Sequence, residues 1–237
     1  GQLSALYNDW LYDDSASDFF IWNGQLLAYK GESKTPVIPD TVQTIGADAF
    51  WRADITGVTI SAGVREIGPS AFYESTALTA VDIPGSVARI DDSAFSGCTG
   101  LTSVTLHEGL QVIGDGVFSG CAQLRSVKGG KNVRQIGDGC FSACPALTDF
   151  GDLTANVTRV GSLAFFNTGW FHDQPNGVAY FGNVAYAYKG TMPEGTVLDI
   201  RDGTVSVTYE FLAGQTELNP SFDQPNLAGL ILPESCK

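Results

Sequence analysis

The apolar positions of the chain fall into a repeating phrase. An aliphatic residue, usually followed by glycine, leads through two variable residues and a small one to phenylalanine: IGADAF (45–50), IGPSAF (67–72), IDDSAF (90–95), IGDGVF (113–118), IGDGCF (136–141) and VGSLAF (160–165). Phe50, Phe72, Phe95, Phe118, Phe141 and Phe165 are 22, 23, 23, 23 and 24 residues apart. Between the phrases lies a second pattern: ITGVTI (55–60), LTAVDI (78–83), LTSVTL (101–106), LRSVKG (124–129) and LTDFGD (147–152). The last two members lose the final apolar residue. A fixed period in the range of about 20–29 residues, with one strand-like pattern per unit, marks a solenoid of stacked coils. The last residues of L-x-x-V-x-I alternate as a short strand does, so Val81 and Ile83 are expected to point inward and Asp82 outward. Alone, such a strand cannot bury its inner face. Stacking coils at about 4.8 Å lines the inward residues into ladders: Leu78, Leu101, Leu124, Leu147; Ile67, Ile90, Ile113, Ile136; and the phenylalanines. Pro39 and Pro84 sit just past a strand, where a missing N–H costs the sheet little.

One phrase occurs twice at a much longer interval. FFIWNGQLLAYKG (19–31) and VAYFGNVAYAYKG (178–190) end in the same Ala-Tyr-Lys-Gly, and each is two alternating runs around a two-residue turn, Asn23-Gly24 and Gly182-Asn183. That is a β-hairpin signature. Each is followed by a fresh strand start, so the hairpin is expected to be an entry element that launches coils near residue 33 and interrupts or relaunches them near 170. Phe165 and Phe211 are 46 residues apart, two periods, although no Ile-Gly precedes Phe211 at the usual distance. Residues 227–233 are expected to form a terminal strand. Ahead of the first hairpin, Leu3, Leu6, Tyr7, Trp10 and Leu11 have helical spacing, which predicts a short amphipathic helix within residues 1–18 capping the open end of the stack.

The order L-T-x-V-x-I-P-x-x-V-x-x-I-G-x-x-A-F-x-x-C, present at 78–98 with Asp91 in place of the glycine, resembles the BspA-like leucine-rich repeats of bacterial surface proteins. The resemblance covers residues 33–169 and returns in degraded form toward the C-terminus. It implies a leucine-rich repeat solenoid of short parallel strands, here with two β-hairpin insertions and a short N-terminal helix. The organisation is then 1–32, cap helix and hairpin; 33–169, solenoid; 170–192, hairpin insertion; 193–237, degraded repeats. Many members of the family are exported and surface-attached, and some are adhesins that bind matrix proteins or other cells. The resemblance therefore implies a secreted or cell-surface location and host or bacterial surface proteins as partners.

Composition narrows the partners. With 26 acidic against 13 basic residues the formal charge is −13, which repels phosphate backbones and anionic headgroups, so nucleic acid is not an expected partner. No apolar run approaches the roughly 18 residues that would predict membrane insertion. Gly1, rather than Met, at the start is compatible with a leader or anchor ahead of this sequence.

Candidate chemistry is sparse. Cys98, Cys121 and Cys144 share one repeat position, and Cys140 lies in the small-residue column with Ala94 and Val117. Packed free thiols account for these; a Cys98–Cys121 or Cys121–Cys144 disulfide is the other reading. Cys140 and Cys144 form C-x-x-x-C without the second pair or histidine that zinc requires. His107 takes the place of Pro84 and reads as a turn residue, and Asp13-Asp14 and Asp91-Asp92 read as turn and surface charge rather than a calcium loop. No nucleophile, base and acid can be assigned, and no metal or cofactor is implied. The expectation is a non-enzymatic module. Two candidate binding surfaces remain. One is the outward strand face, including Thr59, Asp82, Ser103, Thr105 and Lys128. The other is the aromatic insertion, with Trp170, His172, Tyr186 and Tyr188, which would suit glycans. A hydrolase centred on His172 is a third, weaker reading.

Overall fold

The computed structural model describes residues 17–208 and 226–236. The segment expected to form the N-terminal helix, apart from Ser17 and Asp18, and the phenylalanine Phe211 lie outside the described residues. In chain order, β1 (Phe19–Trp22) and β2 (Gln25–Tyr29) form the first hairpin. Then come β3 (Thr44–Ile45), β4 (Glu66–Ile67), β5 (Ala80–Ile83), β6 (Arg89–Ile90), β7 (Ser103–Leu106), β8 (Val112–Ile113), β9 (Ser126–Gly129), β10 (Gln135–Ile136) and β11 (Arg159–Val160). A single-turn helix α1 (Gly169–Asp173) leads into the second hairpin, β12 (Gly177–Phe181) and β13 (Val184–Lys189). β14 (Thr196–Asp199), β15 (Ser206–Val207) and β16 (Leu227–Ile231) complete the described chain. The expected terminal strand is β16, paired in parallel with β14.

The coils have two strand walls, and the shorter one is the wall that the L-x-x-V-x-I pattern displays. β5, β7 and β9 form a parallel sheet in which Val81, Val104 and Val127 are in register. A single bridge from Ser126 to Asp149 extends it past β9, and a separate bridge joins Val37 to Thr59 in the coils before β5. At LTDFGD the strand gives way to a 3-10 turn at Gly151–Thr154, held by Asp149 Oδ1 accepting from Gly151 N at 2.9 Å. The longer wall is an eight-stranded sheet in the order β1-β2-β3-β4-β6-β8-β10-β11. Each of its coil strands is only two residues, in all but β8 (Val-Ile) one polar or charged and one aliphatic, too short to show alternation in the sequence. Its register joins Leu26, Ile45, Ile67, Ile90, Ile113, Ile136 and Val160 across successive strands. The isoleucine ladder is thus at once a core column and a hydrogen-bonded wall.

Both hairpins feed such a column. β2 pairs in parallel with β3, and β13 pairs in parallel with β15. Each hairpin has a bulge at the same place in the shared phrase, Phe20/Ile21 and Ala179/Tyr180. In the first turn both Asn23 and Gly24 have positive φ (48° and 75°), as a type I′ turn demands; in the second, only Gly182 does (57°).

The core is continuous along the stack. The six phenylalanines are at most 1% exposed. Their rings stack nearly parallel, with centroids 4.7 Å apart between Phe50 and Phe72, 4.8 Å between Phe72 and Phe95, and 5.9 Å between Phe141 and Phe165. Tyr29 extends the column at one end, 5.1 Å from Phe50, and Phe181 at the other, 4.3 Å from Phe165. Two left-handed residues per coil turn the chain around each phenylalanine. The first is Asp48, Ser70, Ser93, Gly116, Gly139 or Leu163; the second is Arg52, Glu74, Gly97, Gly120, Ala143 or Asn167. A non-glycine residue there costs about 1–2 kcal/mol, which successive coils offset by their backbone bonds, such as Phe95 N to Val117 O at 2.9 Å.

Candidate functional site

The strand-face candidates lie on the outer side of the shorter wall. Asp82, Thr105 and Lys128 are direct neighbours across β5, β7 and β9, and Ser103 lies between Ala80 and Ser126 in the adjoining row. Thr59, bridged to Val37, holds the equivalent place one coil earlier. Thr59, Asp82 and Lys128 are exposed, while Ser103 and Thr105 are half-buried. The inward partners Val81 and Ile83 are buried at 4% and 0%, as the alternation requires. His107, just past β7, reaches back so that its Nε2 lies 2.8 Å from Asp82 Oδ1. Sequence spacing marks it as a turn residue; stacking of the coils makes it the partner of a carboxylate 25 residues away. The face therefore carries a carboxylate with its imidazole, a hydroxyl row and an ammonium group on a rigid sheet.

The insertion candidates do not form a platform. Tyr186 is fully buried, and its hydroxyl accepts from Phe165 N at 3.1 Å. As a binding residue it is corrected to a core residue. Trp170 is half-buried among Phe165 (4.9 Å), Phe181 (5.4 Å) and Phe150 (6.0 Å). These rings splice the phenylalanine column onto the second hairpin, and the edge-to-face geometry of most of the contacts is the favoured one. Tyr188 is half-buried. His172 is exposed on α1, with Nδ1 3.1 Å from Asp173 of the same turn. Thr168 caps α1 through its hydroxyl, which accepts from Phe171 N at 3.1 Å, and Lys189 donates to the carbonyls of His172 and Gln174 at its other end.

The cysteines are free thiols with a structural task. Cys98, Cys121 and Cys144 each donate Sγ–H to the carbonyl of the phenylalanine one coil earlier: Phe72 at 3.1 Å, Phe95 at 3.3 Å and Phe118 at 3.0 Å. Ser75 does the same to Phe50 at 2.8 Å. The position thus selects a small buried donor, and the sulfhydryl serves. Burial pushes the Cys98 and Cys144 thiols up to about 12 and those of Cys121 and Cys140 well above the usual range, so all four remain protonated and poor nucleophiles.

The acids of the Ile-Gly-Asp phrase also act between coils. Asp92 Oδ1 accepts from Asp115 N at 2.9 Å, Asp115 from Asp138 N at 2.7 Å, and Asp138 from Ser162 N at 2.7 Å. This ladder explains the glycine beside it. A Cβ on Gly114, Gly137 or Gly161 would lie 2.5, 2.3 or 2.3 Å from the preceding coil's carboxylate. Asp91 replaces that glycine in the coil that stacks on Pro69, which projects no carboxylate. Among the described residues no group of three or more His, Cys, Asp or Glu is placed to hold a metal ion, and no helix is long and apolar enough to cross a membrane. A groove at the first coil beside Trp51, which no repeat pattern signals, is the feature that the sequence leaves unmarked.

Comparison with known proteins agrees with this architecture. The sequence matches the family described as BspA type leucine-rich repeat region, in six copies, over residues 27–148 and 65–189. No curated protein matches it. Among solved structures, a leucine-rich repeat protein of T. pallidum is similar at 25% identity with a TM-score of 0.55, over 65% of this chain and 87% of that one. A leucine-rich repeat protein from Eubacterium ventriosum shares 23% identity with a TM-score of 0.55, over 65% of this chain and 48% of that one. This chain thus matches about half the length of the latter. With the family match spanning well over half of the sequence and the coils stacked as such repeats require, the chain belongs to the BspA-type leucine-rich repeat family.

Proposed function

We propose that the chain is a non-enzymatic interaction module of an exported bacterial protein, adhesin-like in mode, that binds a host or bacterial surface protein through the outer face of β5, β7 and β9. The observation that carries this reading is the registered row Asp82, Thr105 and Lys128 with His107 locked onto Asp82. A partner meets both charge signs and hydroxyls on strands of fixed spacing, and little backbone ordering remains to oppose binding. Membership of a family of leucine-rich repeats, an architecture that offers extended surfaces for recognition, supports an interaction role. A surface location is part of the same proposal and rests on what the family resemblance implies. Glycan binding at the insertion has against it the burial of Tyr186 and the engagement of Trp170 with core rings.

The test is a binding screen of the purified chain against a panel of matrix proteins, with Lys128→Glu and Asp82→Lys alongside. Saturable binding that falls about tenfold or more in either variant supports the strand face, since charge reversal within an interface costs on the order of 1.4 kcal/mol or more. Binding insensitive to both variants moves the site elsewhere. No binding to any protein on the panel sinks the adhesin-like reading.

A further inference from the structure

Beside the first hairpin the surface folds into a groove of about 420 Å³, lined by residues of 28–34 on one side and 48–54 on the other. Trp51 forms a wall of it and is 53% exposed. Lone exposed aromatics are common, but this one is held in position. The Arg52 guanidinium lies 4.9 Å over the indole centroid, and Arg52 Nε in turn donates to Glu74 Oε2 at 2.6 Å. One indole face is therefore clamped by a cation while over half of the residue stays open to solvent. Three alanines, Ala28, Ala49 and Ala53, are among the apolar residues that line it. Ala53 stands where later coils carry Ser75, Cys98, Cys121 and Cys144, and Trp51 stands where they carry Tyr73, Ser96, Ser119 and Ser142. The groove belongs to the first coil and is not a by-product of the repeat.

Its polar groups fit one class of ligand. Its lining carries three carboxylates, on Glu32, Asp48 and Asp54, and two ammonium groups, on Lys30 and Lys34, of which Lys34 is paired with Asp54. Hydrogen-bond donors and acceptors thus share with a flat, exposed indole a concavity of the size that holds small ligands, about 300–1,000 Å³. A pyranose offers the complement, a C–H face for the indole and a rim of hydroxyls that both donate and accept. An extended peptide would seek an open strand edge, but past the end of β2 at Tyr29 the lining is irregular chain and turn rather than strand. An anionic sugar would meet an excess of carboxylate. We propose that this groove is a saccharide-binding site for neutral pyranose units, with Trp51 as the stacking platform and Asp48, Asp54, Glu32 and Lys34 as the hydroxyl partners. It is independent of the protein-binding face.

The experiment is a glycan array carrying neutral gluco-, galacto-, manno- and N-acetylglucosamine oligosaccharides beside sialylated and sulfated ones, followed by calorimetric titration with the best neutral probe. The expected result is saturable binding of a neutral saccharide, weakened about tenfold or more by Trp51→Ala, the loss of one stacking contact. Trp22→Ala, which removes a more exposed indole (67%) outside the groove, leaves binding unchanged. Asp54→Asn weakens binding without touching the indole and guards against a folding defect in the Trp51 variant. Silence across the array, binding equal in Trp51→Ala, or preference for the anionic probes overturns the proposal.

Discussion

Replacing Phe118 by alanine tests how the stack is held together. Phe118 is fully buried in mid-column, with ring centroids 5.5 Å from Phe95 and 5.4 Å from Phe141. Two stacked contacts go with the ring, each worth about 0.5–1.5 kcal/mol beyond the area it buries. The vacated volume cannot close, because the coils on either side are fixed by backbone bonds: Phe95 N to Val117 O at 2.9 Å, and Phe118 N to Cys140 O at 2.8 Å. Where a site cannot collapse, Phe→Ala costs lie in the upper part of the observed range, about 3–5 kcal/mol. Phe118→Leu keeps most of the volume and loses chiefly the two stacked contacts, so a cost of about 1–3 kcal/mol, below that of the alanine variant, is expected. Urea unfolding followed by circular dichroism, with both variants and the parent chain, reads these values as shifts in midpoint at constant slope. A Phe118→Ala cost below about 2 kcal/mol, or equal costs for the two variants, would refute the claim that the rigid coil spacing preserves the cavity.

Three further outcomes follow from the same geometry. Native protein at pH 8 should release one equivalent of thionitrobenzoate from Ellman's reagent, from half-exposed Cys236, and five in guanidinium; a second reactive native thiol, or fewer than five on unfolding, contradicts four buried free thiols that burial keeps protonated. Asp115→Ala should cost about 1 kcal/mol by orphaning Asp138 N, and Asp115→Asn should recover most of it; equal loss in both would mean that the ladder owes its strength to charge. Glu66 has its carboxyl pushed above the ordinary range by burial and then by its hydrogen bond with Asp91. The folded state therefore binds its proton more readily than the unfolded chain does, so stability falls as pH rises from the ordinary value of about 4.3 through the folded one. Glu66→Gln should raise the urea midpoint at pH 7 and lose that advantage below about pH 4; an advantage that grows on acidification would reverse the sign and reject the assignment.

Whatever recurs once per coil is legible in the order of residues alone. The period, the Leu, Ile and Phe ladders and the hairpins are legible because a solenoid buries each residue against its own equivalent in the next coil, so the local pattern states the tertiary contact. Where neighbours are not equivalent, the pattern is silent. Trp22 and Phe181 occupy the same place in the two hairpin phrases, yet one is 67% exposed and the other fully buried, because the first hairpin opens the stack and the second is wedged against Phe165. The same wedge takes Tyr186 and Trp170 from candidate binding residues into the splice. Only the tertiary structure decided that the two-residue strands build the longer wall, since two residues cannot show a period. It alone decided that His107 answers Asp82 and that Arg52 clamps Trp51 over a groove, because those contacts join unlike side chains of different coils or of the single coil where the repeat begins.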